Sequence, residues 1–179
     1  MNPAVLSSTS SIYIVFLASF LIWVLFAGLG YLWVIDGRIK KEIVLHALFA
    51  IIVAWAVSEI TKTLFPTLRP FQVNGKPPLT FTFIGKSAAF PSAHTAIAFA
   101  LSTSVFLHSK KIGFLFILGS IGVGFGRILG NVHYPLDVFG GAVIGTITAV
   151  VIDRIHVYNL LLVSRRKKSN KIPKRRLDN

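Results

Sequence analysis

Between two long apolar runs the chain reads Gly126-Arg127-Ile128-Leu129-Gly130-Asn131-Val132-His133-Tyr134-Pro135-Leu136-Asp137. An ionisable side chain near hydrocarbon is costly, so an arginine, a histidine and an aspartate gathered at such a turn mark a functional site by default. His133 and Asp137 are four residues apart, one helical turn, so the carboxylate can hold one imidazole nitrogen while the other faces a substrate. Arg127 adds a cationic fork suited to a phosphate. The plainer reading of this stretch, taken alone, is that its charged residues cap helix ends and pair with one another.

Two upstream clusters point the same way. Lys62 and Arg69 stand seven apart in Lys62-Thr63-Leu64-Phe65-Pro66-Thr67-Leu68-Arg69-Pro70, with proline fixing the chain direction. Two cations aimed at one place need an anion. In Phe90-Pro91-Ser92-Ala93-His94-Thr95, proline followed by serine is a natural helix opening, and a helix amino terminus offers free amides and a positive dipole end to an anion. Ser92 adds a hydroxyl and His94 a titratable group beside that anion. Taken singly, the first cluster reads as cations snorkelling to headgroups and the second as an ordinary serine cap. Jointly those readings leave unexplained why Lys-x6-Arg-Pro, Pro-Ser-x-His and Arg-x5-His-x3-Asp occur in order, each at the end of an apolar span.

The elements that must position these residues are membrane helices. The chain has 179 residues, 54% hydrophobic and 14% charged, with a mean hydropathy of +0.71, the composition of a membrane protein. Spans are predicted over 12–35, 43–64, 92–107, 112–129 and 136–155, the last extending towards 163, giving an all-α polytopic bundle of about five transmembrane helices. The first is not patterned as a signal peptide, because no basic residue precedes it and the apolar stretch is too long. Residues 65–90 carry Pro66, Pro70, Pro77 and Pro78, which exclude a continuous helix. Their length suits a lid or binding loop, with a short extended piece where Leu79-Thr80-Phe81-Thr82-Phe83 alternates. Glycines on the last two spans, among them Gly113, Gly126, Gly141 and Gly145, read as close helix packing in lipid.

Net charge is +13, and eight of the nineteen basic residues fall between Arg165 and Arg176. With no aromatic interleaving this is a topology signal and an anionic-lipid contact, not a nucleic-acid surface. A membrane-embedded domain over 1–163 is thus followed by a polybasic tail over 164–179. Fourteen basic residues fall on one side of the spans and five on the other. The first side is predicted to be cytoplasmic, with the amino terminus and all three clusters outside. There is no cysteine, so disulfides and thiolate metal sites are excluded. Glu59, three residues before Lys62, is placed to pair with it, whereas His46, His108 and His156 lie away from the clusters and read as structural.

These three segments resemble the signature motifs of the type 2 phosphatidic acid phosphatase superfamily, over Lys62 to Asp137 and the helices that carry them. The resemblance implies that His133 attacks phosphorus to form a phosphohistidine, with Asp137 orienting it. His94 would protonate the leaving oxygen and then activate water. Lys62, Arg69 and Arg127, with Ser92 and the backbone at Ala93, would hold the phosphoryl oxygens. With cations in that role no metal or other cofactor is implied. The chain departs from the family at Ala93, where glycine is usual, at Gly126, where serine is usual, and in having five spans against six in many members.

The expected protein is a multi-pass integral membrane lipid phosphatase, its site facing outside or the periplasm if the membrane is a bacterial inner membrane. The expected partners are a lipid phosphate substrate and membrane lipids, anionic at the tail. Undecaprenyl diphosphate is the most economical substrate, ahead of lipid A 1-phosphate, phosphatidylglycerophosphate and phosphatidic acid. A non-catalytic lipid-phosphate binder needs the cations but neither histidine nor Asp137. An anion channel fits poorly with so few charges inside the spans.

Overall fold

A computed structural model describes residues 8–35, 38–81 and 88–169, with side chains among them up to Ile155. Residues 170–179 of the polybasic run, the side chains from His156 onward, Lys86, and the Thr82-Phe83 end of the alternating piece lie outside what is described. Among the described residues every regular element is helical. They are α1 (Ser8–Val15), a π-helical turn (Phe16–Phe20), α2 (Leu21–Val34), α3 (Arg38–Leu64), α4 (Pro70–Asn74), α5 (Ala93–His108), α6 (Lys110–Leu129) and α7 (Pro135–Ser169).

Among the described residues four stretches are long and apolar enough to cross a bilayer: Ser11–Val34, Ile43–Leu64, Lys110–Leu129 and Pro135–Ile155. The predicted third span is the shorter apolar helix α5. It packs against α3, α6 and α7 and is sheathed by them, with Ala96, Ala98, Ala100, Leu101 and Val105 excluded from solvent. Small residues make that possible, since protein rather than lipid surrounds this helix. Its hydroxyls turn inward onto backbone: Ser104 donates to the Ala100 carbonyl, and the Ser120 hydroxyl of α6 donates across to the Ala98 carbonyl.

The polar connection differs from expectation in one respect. Its prolines do exclude a continuous helix, yet Pro70 opens the single helical turn α4, where a missing amide costs nothing. Gly75 closes that turn at φ 66°. The alternating piece forms no strand among the described residues. Its Leu79 amide donates to the Gly130 carbonyl at 2.9 Å, and its Phe81 amide donates to Ser19 Oγ at 2.9 Å, so it is laid on the protein, pinned to the end of α6 and to the π-helical turn. Helices α3 and α7 both outrun their apolar stretches, because the flanking lysines and arginines are good helix formers.

Glycines set the closest approaches. A β-carbon on Gly145 would overlap the Ala96 carbonyl oxygen and sit 2.8 Å from the Ala100 amide nitrogen, whereas one on Gly30 would meet nothing within 4 Å. Backbone cannot step aside as a side chain tip can. Gly145→Val should therefore cost about 1–3 kcal/mol or more, read as a lower Tm of the detergent-solubilised protein, whereas Gly30→Ala should leave Tm unchanged or raised. Equal Tm values for the two variants would contradict this packing.

Candidate active site

The three sequence clusters meet at one end of the bundle. Lys62 ends α3, and Arg69 follows in extended backbone at φ −82°, ψ 154°, just before α4. Ser92 precedes α5, Arg127 lies in the last turn of α6, and Asp137 in the first turn of α7. Antiparallel packing makes these ends converge, with a short turn joining α6 to α7 and the long 65–92 connection returning the chain from α3 to α5 at the same end. The Ser92 amide donates to the Asp137 carbonyl at 2.9 Å, which ties the start of α5 to the start of α7.

His133 sits in the turn between α6 and α7, its amide and that of Val132 each 3.2 Å from the Arg127 carbonyl. Asn131 bends the chain there through a left-handed conformation at φ 60°, which asparagine tolerates. Asn131 also exchanges amide hydrogen bonds with Asn74 at 2.8 and 3.2 Å and donates to the Lys76 carbonyl at 2.9 Å. That pairing bolts the turn to the segment after α4.

The imidazole lies between a carboxylate and a guanidinium. Its Nδ1 is 3.5 Å from Asp137 Oδ2, and its Nε2 is 3.5 Å from Arg69 Nη1. Arginine has no acceptor, so these neighbours assign the proton to Nδ1 and the lone pair to Nε2. Both distances are long for hydrogen bonds, as catalytic contacts often are before substrate tightens them. Asp137 is itself fixed, because Oδ2 accepts the Tyr134 amide at 2.8 Å, reaching back across the first turn of α7 as the acidic half of a capping box does. His133, Asp137, Arg69, Lys62, Ser92 and Arg127 are all buried, and Ala93 and His94 are half-buried.

Burial pushes the His133 imidazole down to about 4, aided by the charges of Arg127 and Arg69 and opposed by Asp137. Near pH 7 the ring is therefore neutral, with Nε2 free to act as a base or nucleophile. Burial also lowers Arg69, against the pull of Asp137 and Glu59, but an arginine stays charged. His94 lies within electrostatic range of Arg127, His133, Lys62 and Arg69, so the second histidine shares the cationic cluster. Glu59 pairs with Lys62 as expected, Oε1 to Nζ at 2.6 Å, which steadies the lysine at the rim.

One local expectation is corrected. Ser92 occupies the position before α5, but its side chain makes no capping hydrogen bond. Its hydroxyl instead accepts from Thr95 Oγ1 at 3.0 Å, which leaves its own proton for another acceptor. A helix-capping serine would have spent its oxygen on a backbone amide. At the far end of the bundle His108 donates from Nδ1 to the Ser104 carbonyl at 2.9 Å, approaches Asp153 at 3.7 Å and stacks on His46 at 5.3 Å. These histidines stand apart from the site.

Sequence reasoning missed Ser19, Thr80, Asn74 and Asn131. Arg127 Nη1 donates to the Ala18 carbonyl at 3.0 Å and approaches Thr80 Oγ1 at 3.4 Å. Only Asn131 carried a signal, lying inside the charged stretch.

Comparison with known proteins matches this architecture. Aquifex aeolicus LpxE is similar in structure, with a TM-score of 0.69 and 30% identity over 82% of this chain and 87% of that one. The phosphatidylglycerolphosphate phosphatase of Bacillus subtilis shares the fold at a TM-score of 0.56, with 19% identity over 94% of this chain and 79% of that one. In sequence, the bacitracin transport permease protein BcrC of Bacillus licheniformis is 32% identical over 76% of this chain and 67% of its own length. The undecaprenyl-diphosphatase BcrC of Bacillus subtilis is 28% identical over 69% of this chain and 63% of its length. The chain thus spans about two thirds of the length of these relatives. The family model described as the PAP2 superfamily matches residues 43–161, which hold every residue of the three clusters, and the chain belongs to that superfamily.

Proposed function

We propose that this PAP2-superfamily lipid phosphatase removes the terminal phosphate of a polyprenyl diphosphate, undecaprenyl diphosphate above the other candidates, through a phosphohistidine. The observation that carries the chemistry is the placement of His133 between Asp137 and Arg69. His133 Nε2 attacks the terminal phosphorus while the bond to the bridging oxygen breaks, and His94 gives its proton to that leaving oxygen. Water then attacks the phosphohistidine, His94 takes the water proton, and inorganic phosphate and the lipid monophosphate leave. Asp137 holds Nδ1–H and steadies the imidazolium-like charge that develops.

Lys62, Arg69, Arg127, the Ser92 hydroxyl and the backbone at Ala93 stabilise the charge spread over the phosphoryl oxygens in the transition state. Two relatives bear the name undecaprenyl-diphosphatase, the second being the putative enzyme YbjG of Escherichia coli, 29% identical over 65% of this chain. They support the diphosphate reading. The excess of basic residues at the opposite end of the bundle supports a site outside the cytoplasm, in a bacterial envelope membrane. The tail from 164 is then a cytoplasmic contact with anionic lipid.

A panel of lipid phosphates tests the substrate by kcat/KM for phosphate release. Undecaprenyl diphosphate should exceed phosphatidic acid and phosphatidylglycerophosphate by about tenfold or more, equivalent to about 1.4 kcal/mol of transition-state discrimination. A monophosphate that equals or exceeds it would overturn the diphosphate assignment while leaving the phosphohistidine chemistry intact.

A further inference from the structure

The first helix reaches the site at a place no motif marks. Arg127 is 2% exposed, and its Nη1 meets two acceptors, the Ala18 carbonyl at 3.0 Å and Thr80 Oγ1 at 3.4 Å. Ala18 sits inside the π-helical turn Phe16–Phe20. Such a turn locally replaces the α-helical hydrogen-bond pattern and so re-aims carbonyls, and π turns recur at functional sites. Gly126, one residue before the arginine, admits this backbone: a β-carbon there would overlap the Leu17 carbonyl carbon and approach the Ala18 amide nitrogen to 2.5 Å.

The second acceptor is held in turn. Thr80 Oγ1 and Ser19 Oγ share a hydrogen bond at 2.8 Å, and Ser19 Oγ accepts the Phe81 amide at 2.9 Å. Ser19 is 3% exposed, so this link is shielded from water. Three segments, the π-helical turn, the 79–81 connection and the end of α6, therefore converge on one guanidinium nitrogen. Arg69 is a second guanidinium within electrostatic range of Arg127. Before an anion arrives the two repel, and a long side chain with free rotamers would swing away. Two fixed oxygens oppose that motion.

We propose that Ser19 and Thr80, with the Ala18 carbonyl, are positioning residues that hold Arg127 at the angle it needs in the transition state. The proposal rests on Arg127 being a phosphoryl ligand. Ala18 and Ser19 lie outside the residues 43–161 matched by the family model, whereas Thr80 lies within them, so two of the three supports come from a part of the chain outside the family match. Because Arg127 acts most on charge that develops during transfer, the loss should fall on kcat more than on KM.

The test is a double-mutant cycle read by phosphate release from the substrate that the wild type turns over fastest. Ser19→Ala and Thr80→Val should each lower kcat about tenfold or more, since a misplacement of about 1 Å far from the bond broken can cost 100-fold. KM should move less than threefold. Inhibition by orthovanadate, whose five-coordinate form mimics the transition state, should weaken in step with kcat/KM. Thr80→Ser, which keeps the hydroxyl, should retain at least half of the rate. In an Arg127→Lys background Ser19→Ala should cost less than a further twofold, because the group it serves is already lost.

The same loss from Ser19→Ala in both backgrounds, or Thr80→Ser as impaired as Thr80→Val, would overturn the positioning role while the wild type still turns over. A wild type that releases no phosphate from any lipid would instead remove the phosphatase reading and the positioning role together.

Discussion

His133→Ala should reduce phosphate release by on the order of 10⁴-fold or more, the scale on which removal of a covalent nucleophile acts. The variant should still bind lipid phosphate, because Lys62, Arg69 and Arg127 remain to hold the oxygens. Wild-type enzyme given a terminally ³²P-labelled diphosphate and quenched in alkaline detergent should carry acid-labile, base-stable label, and the variant should carry none. Retained turnover in His133→Ala would mean that another group attacks phosphorus. The pH profile supplies a second check on the same residue. The ring must be neutral to attack, and burial depresses it from 6.5 to about 4. The acid limb of kcat/KM that belongs to His133 should therefore lie well below 6.5, near pH 4, with the rate falling as pH drops through it. That ratio reports the free enzyme, the state described here. A limb at 6.5 that disappears in conservative variants of His133 would show that the ring is far better hydrated than its surroundings imply.

Asp137→Asn is the second large effect. The amide is nearly isosteric, but it has no negative charge and presents a donor where the carboxylate presents only acceptors. Through the oxygen that remains it can still take the Tyr134 amide, so the start of α7 survives. The oxygen that does so is also the one nearest Nδ1, so the ring keeps an acceptor there but loses the negative charge that fixes its tautomer and stabilises the positive charge developing during attack. In a hydrolase with an Asp–His pair the comparable change costs about 10⁴-fold in kcat, and a loss of about 10³- to 10⁴-fold is expected here. The thermal midpoint should shift by only a few degrees. A collapse of Tm in parallel with activity would make Asp137 a fold residue first. Activity within tenfold of wild type would remove its orienting role.

What the sequence disclosed and what it withheld follow one physical rule. Charges beside hydrocarbon are expensive, so Lys62, Arg69, Arg127, His133 and Asp137 stand out against their apolar surroundings, and their order along the chain was legible before any coordinates. The helices were legible for a similar reason, since long uncharged runs admit few other structures in lipid. Ser19 and Thr80 were not. A lone hydroxyl in a helix usually bonds to its own preceding turn, and nothing local reveals that Ser19 turns outward to a loop sixty-one residues away. Ser92 is the complementary case. A serine ahead of a helix is read as a cap, and only the approach of Thr95 shows that its oxygen is already engaged. Gly126 was legible as a close helix contact as well as a departure from the usual serine, and the structure adds which backbone it clears, that of Leu17 and Ala18. Such a role belongs to the pair of helices and to neither sequence alone.

The shortness of α5 bears on how a lipid meets this enzyme. Sixteen residues at about 1.5 Å each extend about 24 Å, some 6 Å less than the hydrocarbon thickness of an ordinary bilayer, about 30 Å. Ser92 marks one end of that helix, so a shortfall taken up at that end would set the catalytic floor beneath the level at which neighbouring headgroups ride. Either the leaflet dips around the protein or water fills a dimple above it, each a modest distortion for a membrane. A lipid phosphate would then enter the depression with its chain still among its neighbours, without being extracted from the membrane.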